Sequence, residues 1–365
     1  MPWVPTVPYN DLPLLPPAVE VESRAVLKAT TAARAALAGL DQSAQLLPNP
    51  LVLLNAATLL EAQASSEIEN IVTTADELFR YAASEEVGNQ ATKEALRYRT
   101  ALYEGVEALQ HRPITVGTAE RVCSRIKNVE MSIRKVPGTR IANPSTGGII
   151  YAPPEGATII ADKLADWERF LHNADDGLDP LVRMAVGHYQ FEAIHPFHDG
   201  NGRTGRILNI LMLIDAGLIS EPILYLSRHI IRRKSEYYRL LNGVTRDQAW
   251  EPWILYMLAA VERTARSTLV KTAEIRLLQS AFREDARAVS RGGRDAELLS
   301  LLFEQPYCRI GAVMERCQVS RPTATGWLND LVGAGLLRDH RFGRERLFLN
   351  FRLLEILQRD EMTTD

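Results

Sequence analysis

AIHPFHDGNGRTGRILNILML, residues 193–213, sets two histidines, one carboxylate, three glycines and two arginines just ahead of a run of aliphatic side chains. Gly200, Gly202 and Gly205 let the backbone approach a ligand closely and adopt positive φ. They stand where a loop enters the helix that carries Ile207, Leu208, Leu211 and Met212. Free N–H groups at a helix start make an anion site, reinforced by the helix dipole. Arg203 and Arg206 are three apart, so they share a helix face and can both reach an oxyanion. The pattern G-x-x-x-x-G-K-[ST] is absent, so this polyphosphate cradle is built without a P-loop lysine. Asp199, the only carboxylate in the loop, suits Mg²⁺, which takes few protein ligands beside phosphate oxygens and water. Asn201 can donate to a phosphate oxygen, and His195 can accept a proton near neutral pH. A base beside a metal-bound polyphosphate suits deprotonation of a hydroxyl for attack on phosphorus.

The rest of the chain limits the alternatives. Its 365 residues allow two or three domains, and 46% apolar with 24% charged residues is an ordinary globular balance. A net charge of −3 gives no electrostatic case for nucleic acid as the main partner. Cys123, Cys308 and Cys317 form no C-x-x-C pair and read as buried free thiols, not as a disulfide framework or zinc site. The opening MPWVPTVPYNDLPLLPP lacks a basic start and a continuous apolar core, so it does not read as a signal peptide. Asn209, Asp215, Glu221 and Pro222 interrupt the most apolar stretch, so no membrane span is expected. These features point to a cytoplasmic protein.

The fold class expected is mainly α. Six prolines in the first seventeen residues make an extended lead-in. Helical text follows to about residue 110, strongest from Pro50, and again over about 114–133. β-Prone pieces at Thr139–Ile141 and Ile149–Tyr151 bracket a Gly-rich tip over 143–148, which predicts a small hairpin. Helices are predicted again over 161–174, 179–194, 206–217, 235–246 and 250–284. RAVSRGGRD, residues 287–295, breaks the composition like a hinge. Beyond it, three helices and a hairpin turning at Phe342-Gly343 outline a winged helix-turn-helix. The expected domains are an N-terminal helical region 1–110, a catalytic core 111–286 and the winged helix 295–352.

HPFHDGNGRTGR, residues 195–206, resembles position for position the signature of Fic-domain proteins (filamentation induced by cAMP), H-P-F-x-[D/E]-G-N-G-R-x-x-R. The resemblance implies a Fic-type helical bundle and transfer of AMP from ATP to a hydroxyl side chain of a target protein, or of the protein itself. It implies His195 as general base, Asp199 as Mg²⁺ ligand and Phe197 as a buried anchor. Gly200, Asn201 and Gly202 would hold the α- and β-phosphates, with Arg203 and Arg206 on the β- and γ-phosphates and Thr204 and Gly205 in the same cradle. The hairpin at about 138–152 looks like the family's flap, whose edge registers an extended target segment by strand addition. Tyr238, in SEYYRLLNGV, lies where relatives place an adenine-pocket tyrosine.

SSEIEN, residues 65–70, is similar to the family's inhibitory motif [S/T]-x-x-x-E-[G/N], which here gives Ser65, Glu69 and Asn70. Glu69 could pair bidentately with Arg206 and occupy the place of a γ-phosphate. The same glutamate could instead orient a water to remove AMP. Such a brake makes a homodimer that buries or frees its helix the expected assembly. Residues 308–350 carry seven arginines and four acids, with the basic side chains in the presumptive wing at Arg338, Arg341, Arg344 and Arg346. DNA is thus one partner for the winged helix and protein docking another. Two rival readings remain. A nucleotide-sensing transcriptional regulator would act through the winged helix. A phosphohydrolase would use His195, His198 and Asp199 as metal ligands, which leaves the glycines and both arginines unexplained.

Overall fold

A computed structural model describes residues 3–83, 88–143, 146–173, 175–342 and 345–359. After the proline-rich lead-in, α1 (Arg24–Gln45) starts at Ser23, whose hydroxyl accepts the Val26 N–H. Val26, Ala33, Leu37 and Leu40 form its buried stripe. The next helix, α2 (Leu51–Ile68), is buried nearly all round, from Val52 and Leu53 to Ser65 and Ser66, and so runs through the interior. Then come α3 (Ala75–Ala83), α4 (Gln90–Leu109) and α5 (Val116–Lys127), the last begun by a reciprocal Thr115–Thr118 capping box.

The predicted hairpin forms from β1 (Ile141–Ala142) and β2 (Ile149–Tyr151), with Ile141 opposite Tyr151. Of its Gly-rich tip, Pro144 and Ser145 lie outside the described residues. Helices α6 (Ala157–His172), α7 (Pro180–Ile194) and α8 (Asn201–Asp215) follow. Nearly every side chain of α7 and α8 is buried, which makes this pair the centre of the molecule. Trp167 and Trp253 each donate an indole N–H to a carbonyl of α7, at Gly187 and Ala185. Two short helices, α9 (Ser227–Arg232) and α10 (Lys234–Asp247), lead to the 40-residue α11 (Trp250–Val289), which packs along α1.

The composition break after α11 is a packed corner. A β-carbon on Gly292 would stand 2.5 Å from the Trp327 ring, and one on Gly293 would stand 1.9 Å from the Ala286 carbonyl oxygen. Beyond it run α12 (Ala296–Glu304), β3 (Tyr307–Arg309), α13 (Ile310–Cys317), α14 (Arg321–Gly333), β4 (Arg338–Phe342), β5 (Glu345–Leu349) and α15 (Phe351–Gln358). The strands form an antiparallel sheet in the order β3-β5-β4. The expected three helices and hairpin are there, joined by a short strand and a closing helix that the sequence pattern did not announce. Gly343 of the expected turn and Arg344 of the expected basic wing lie outside the described residues.

This C-terminal unit grips α2 and α3. Asn49 donates to Ser300 Oγ at 2.8 Å, Asn55 to the Glu304 carbonyl at 3.0 Å, and the Tyr307 hydroxyl to Asp76 at 2.6 Å. Two arginines of its hairpin have local partners: Arg346 pairs with Asp339 at 3.0 Å, and the Arg338 guanidinium lies 4.1 Å from the Phe351 ring centre. Among the described residues no helix is long and apolar enough to cross a membrane.

Candidate active site

The site forms where α7 stops and α8 starts. Pro196 cannot extend the helix, and His195 ends α7 in the left-handed region at φ 51°. That conformation is uncommon for a non-glycine residue and disfavoured before proline, so neighbouring groups must hold it. Arg134, only 1% exposed, does so: it donates to the carbonyls of His195 (2.7 Å), Ile194 (3.1 Å) and Pro154 (2.6 Å). Two of these are orphan carbonyls at a helix C-terminus, where a cation is also favoured by the dipole. The Tyr151 hydroxyl of β2 donates to Ala193 O at 2.8 Å, tying the hairpin base to the same helix end. Burial, helped by Arg134, pulls the His195 imidazole down to about 4. The ring is therefore neutral at pH 7 and able to accept a proton.

Asn201 pins the turn that follows. Its Oδ1 accepts the Phe197 N–H and its Nδ2 donates to the Phe197 carbonyl, both at 2.8 Å. The Asn201 side chain thus shapes the loop with its carbonyl oxygen and one of its two amide N–H groups. Phe197 is buried, as an anchor must be. Gly200 precedes α8 at φ 86° and leaves the first N–H groups of the helix without a side-chain cap. At Gly202 a β-carbon would lie 2.3 Å from Glu69 Oε1, so this glycine opens the space that the carboxylate enters. Gly205 serves packing instead, since a β-carbon there would lie 2.4 Å from Glu192 Oε1 and 3.3 Å from the His188 ring. Thr204 is fully buried.

Arg206, 1% exposed, donates from Nε to Ser65 Oγ (2.8 Å) and from Nη2 to Ser65 O (2.8 Å) and Glu69 Oε1 (2.9 Å). The contact to Glu69 is thus through one nitrogen and one oxygen, not the bidentate fork expected, because Ser65 takes the rest of the guanidinium edge. Ser65 O is free to accept because the last turn of α2 tightens, with Glu69 N–H bonding Ser66 O at 3.0 Å. Asn70 then takes φ 61°, and the N–H groups of Asn70 and Ile71 close on the carbonyls of Glu67 and Ser66. That is the Schellman closure, which wants glycine or asparagine at the left-handed position.

Arg203 turns elsewhere. Although it shares a helix with Arg206, its Nη1 bonds Glu94 Oε1 of α4 at 2.5 Å, so the two arginines are held by different helices. Asp199 is well exposed, with 62% of its side chain open, and pairs with Lys127 Nζ at 2.5 Å. Burial works against its charge, but Lys127 and Arg203 outweigh it and hold the carboxyl below its usual range. Among the described residues no three His, Cys, Asp or Glu side chains gather closely enough to hold a metal. A lone carboxylate fits a cation completed by phosphate oxygens and water, and gives no support to the His195–His198–Asp199 arrangement. Tyr238 of α10, 44% exposed, packs edge-on against Tyr237. Its hydroxyl is raised above the ordinary phenol range by burial and then by the charge of Glu69.

Two interior carboxylates, one half-buried and one fully buried, escaped the sequence reading. Glu192, on α7, is pushed up to about 7 by burial, against the pull of Arg206, with Glu69 adding repulsion. Glu61, 1% exposed on α2, accepts from the Ser227 N–H (2.8 Å) and the Tyr98 hydroxyl (3.1 Å), and burial raises it too.

A buried helix pair joined by this loop, flanked by a hairpin and an acidic helix end, defines the Fic class of fold and site. The chain belongs to the Fic/DOC family: the Fic/DOC family N-terminal model matches residues 27–107 and the Fic/DOC family model residues 93–213, together more than half of its length. A third model, described as the C-terminal domain of protein adenylyltransferase SoFic-like proteins, matches residues 263–353. The protein adenylyltransferase Fic of Nematostella vectensis is 35% identical over 107 residues, 29% of this chain and 23% of that protein. Protein adenylyltransferase fic-1 of Caenorhabditis briggsae is 33% identical over 90 residues, 24% and 17% of the two chains. The chain thus spans about a quarter or less of these relatives' length. A Fic family protein from Desulfovibrio desulfuricans G20 superposes with a TM-score of 0.58 at 21% identity, over 92% of this chain and 98% of its own. Fic-1 (residues 134–508) from C. elegans gives 0.52 at 18% identity, over 70% and 74%. At these identities the two structures speak for the fold alone.

Proposed function

We propose that the chain is a protein adenylyltransferase restrained by its own Glu69. One observation carries the reading: an acidic side chain reaches across the uncapped start of α8 to a buried arginine, in a space kept open by Gly202. A space that accepts one carboxylate against a guanidinium and free N–H groups suits the phosphates of ATP. The N–H groups at Gly200, Asn201 and Gly202 would take the inner phosphates and Arg206 the outer one. Arg203 acts in this reading through the shape of the cradle, since Glu94 holds it. Asp199 would carry Mg²⁺, whose contribution is to neutralise charge on the leaving pyrophosphate. Tyr238 would border the adenine.

His195 takes the proton of the incoming hydroxyl as that oxygen bonds to the α-phosphorus and the bond to the β-phosphate oxygen breaks. The imidazole is a weak base at about 4, and the negative charge of a bound polyphosphate would raise its affinity for that proton. The hairpin anchored on α7 by Tyr151 would hold the target segment at the right height above His195. With Glu69 docked, the outer phosphate is denied Arg206 and the chain misaligned for in-line attack. The C-terminal unit reads as a protein-docking module in preference to a DNA-binding one, because Asp339 and Phe351 engage two of its arginines.

The test is label transfer from α- and γ-labelled ATP by Glu69→Gly, offered its own chain and a cell extract. Transfer from the α-label alone, lost in Glu69→Gly/His195→Ala, is expected. Transfer from the γ-label, or none to any protein, would overturn the reading.

A further inference from the structure

We propose that Lys127 is a positioning residue that stands in for the divalent cation on Asp199 and makes the cation's binding depend on the nucleotide. The proposal rests on the adenylyl-transfer reading only in taking Asp199 as the cation's carboxylate. Lys127 is the last residue of α5, and Asn128 ends that helix in the left-handed region at φ 55°, so the lysine leaves the helix from a fixed point. Its stem crosses the loop: Cγ and Cδ lie 3.5 Å from where a Gly200 β-carbon would be. Its ammonium lies 2.5 Å from Asp199 Oδ2 and 3.7 Å from Glu94 Oε1. Glu94 in turn holds Arg203 at 2.5 Å, and Arg203 Nη2 reaches to 4.0 Å from Asp199 Oδ1.

These four side chains form one closed set with two cations and two carboxylates, so its charges cancel. A dication arriving alone would leave the set with two uncompensated positive charges beside the arginine-lined helix start. Arriving with a polyphosphate, it is compensated, and the displaced ammonium already has a second acceptor in Glu94. Removal of the lysine charge leaves the set net negative, and the exposed Asp199 can then take the dication by itself. The Lys127 side chain is 23% exposed and that of Asp199 62%, so the pair is partly open to screening by salt.

The experiment is a titration with Mn²⁺ alone, without nucleotide, followed by water-proton relaxation and checked for folding by circular dichroism. Lys127→Met should bind Mn²⁺ about two- to fivefold more tightly than the parent chain, the range expected for loss of one partly exposed pair. Lys127→Arg, which keeps the charge, should match the parent, and Asp199→Asn added to Lys127→Met should remove the gain. Lys127→Gln serves if the methionine variant does not fold. Equal affinity in parent and charge-removed variants would overturn the proposal, as would a gain that survives Asp199→Asn. The titration contains no ATP, so a failure of adenylyl transfer and a failure of this inference are read separately.

Discussion

Arg206 binds both ends of a single turn of α2, with Nε 2.8 Å from Ser65 Oγ and Nη2 2.9 Å from Glu69 Oε1. Ser65 and its carbonyl hold the guanidinium whether or not Glu69 is present. Arginine position and carboxylate occupancy are therefore separable, and Glu69→Gly should leave Arg206 in place. The initial rate of AMP addition, read by intact mass with ATP and Mg²⁺, should rise by about 10²-fold, the scale of correcting a misplaced reactant. Equal rates in parent and variant would end the brake hypothesis.

Asn70 aims that carboxylate through its backbone. Asparagine tolerates the left-handed region because its short polar side chain bonds locally; alanine lacks that compensation and costs up to about 1 kcal/mol there, and valine more. Asn70→Ala should lower the melting temperature by roughly 2 °C and raise transfer, by less than Glu69→Gly does. Asn70→Gly should do neither. A glycine variant as active as Asn70→Ala would show that the side chain, which receives a bond from Lys234, matters more than the turn.

Acid should destabilise the fold through buried neutral histidines. Burial lowers His188 to about 3 and His195 and His229 to about 4, from 6.5. Between those values the unfolded chain carries protons that the folded chain refuses, so unfolding takes up protons. Stability is full above pH 6.5 and falls as the pH drops toward 4, by about 1.4 kcal/mol per unit for each group. His229, away from the loop, can be removed: His229→Phe should shallow the decline in melting temperature between pH 6.5 and 5. An unchanged slope would mean that this ring is not held neutral.

Glu192 works in the opposite sense. Its folded value of about 7 lies above 4.5, so its contribution is complete at low pH and lost as the pH rises through 7. Glu192→Gln keeps the shape without the charge. It should gain about 1–3 kcal/mol over the parent at pH 8.5 and little at pH 4.5, measured by denaturant melts. A gain of the same size at both pH values would assign the effect to packing.

Arg134→Met should strip three carbonyls of their buried donor. Each charge-assisted bond contributes about 1.5–3 kcal/mol, and the bend at His195 loses its restraint. In the Glu69→Gly background the expected result is a kcat at least tenfold lower with a small change in KM for ATP. Loss confined to KM would place Arg134 in nucleotide binding instead.

How much of this was readable in advance follows the length scale of each contact. The α8 loop, His195 and the Ser65–Glu69 pair are local patterns, and their residue types and spacing carry the chemistry. The buried stripe of α1, the long apolar runs of α2 and α11 and the hairpin near 141–151 likewise follow from short-range patterns. Arg134, Lys127 and Glu94 meet the loop from sixty to more than one hundred residues away, and an isolated charge in a helix looks like a solvated face. Glu192 had a local signal, three residues before His195 on the same helix, but one acid in an apolar run has no period of its own. β3 is only three residues long and is recognised through its partner β5, not through its own sequence.

The missing β-carbon at Gly202 ties the brake to the substrate. The hydrogen there leaves room for the Glu69 carboxylate, and in the proposed reading for a phosphate in its stead. A side chain at 202 large enough to expel the glutamate would fill the same volume against the nucleotide. In that reading, no single substitution at this position would release Glu69 and still leave room for the nucleotide. Escape from restraint must come from α2 itself, or from the distant residues that keep α2 seated.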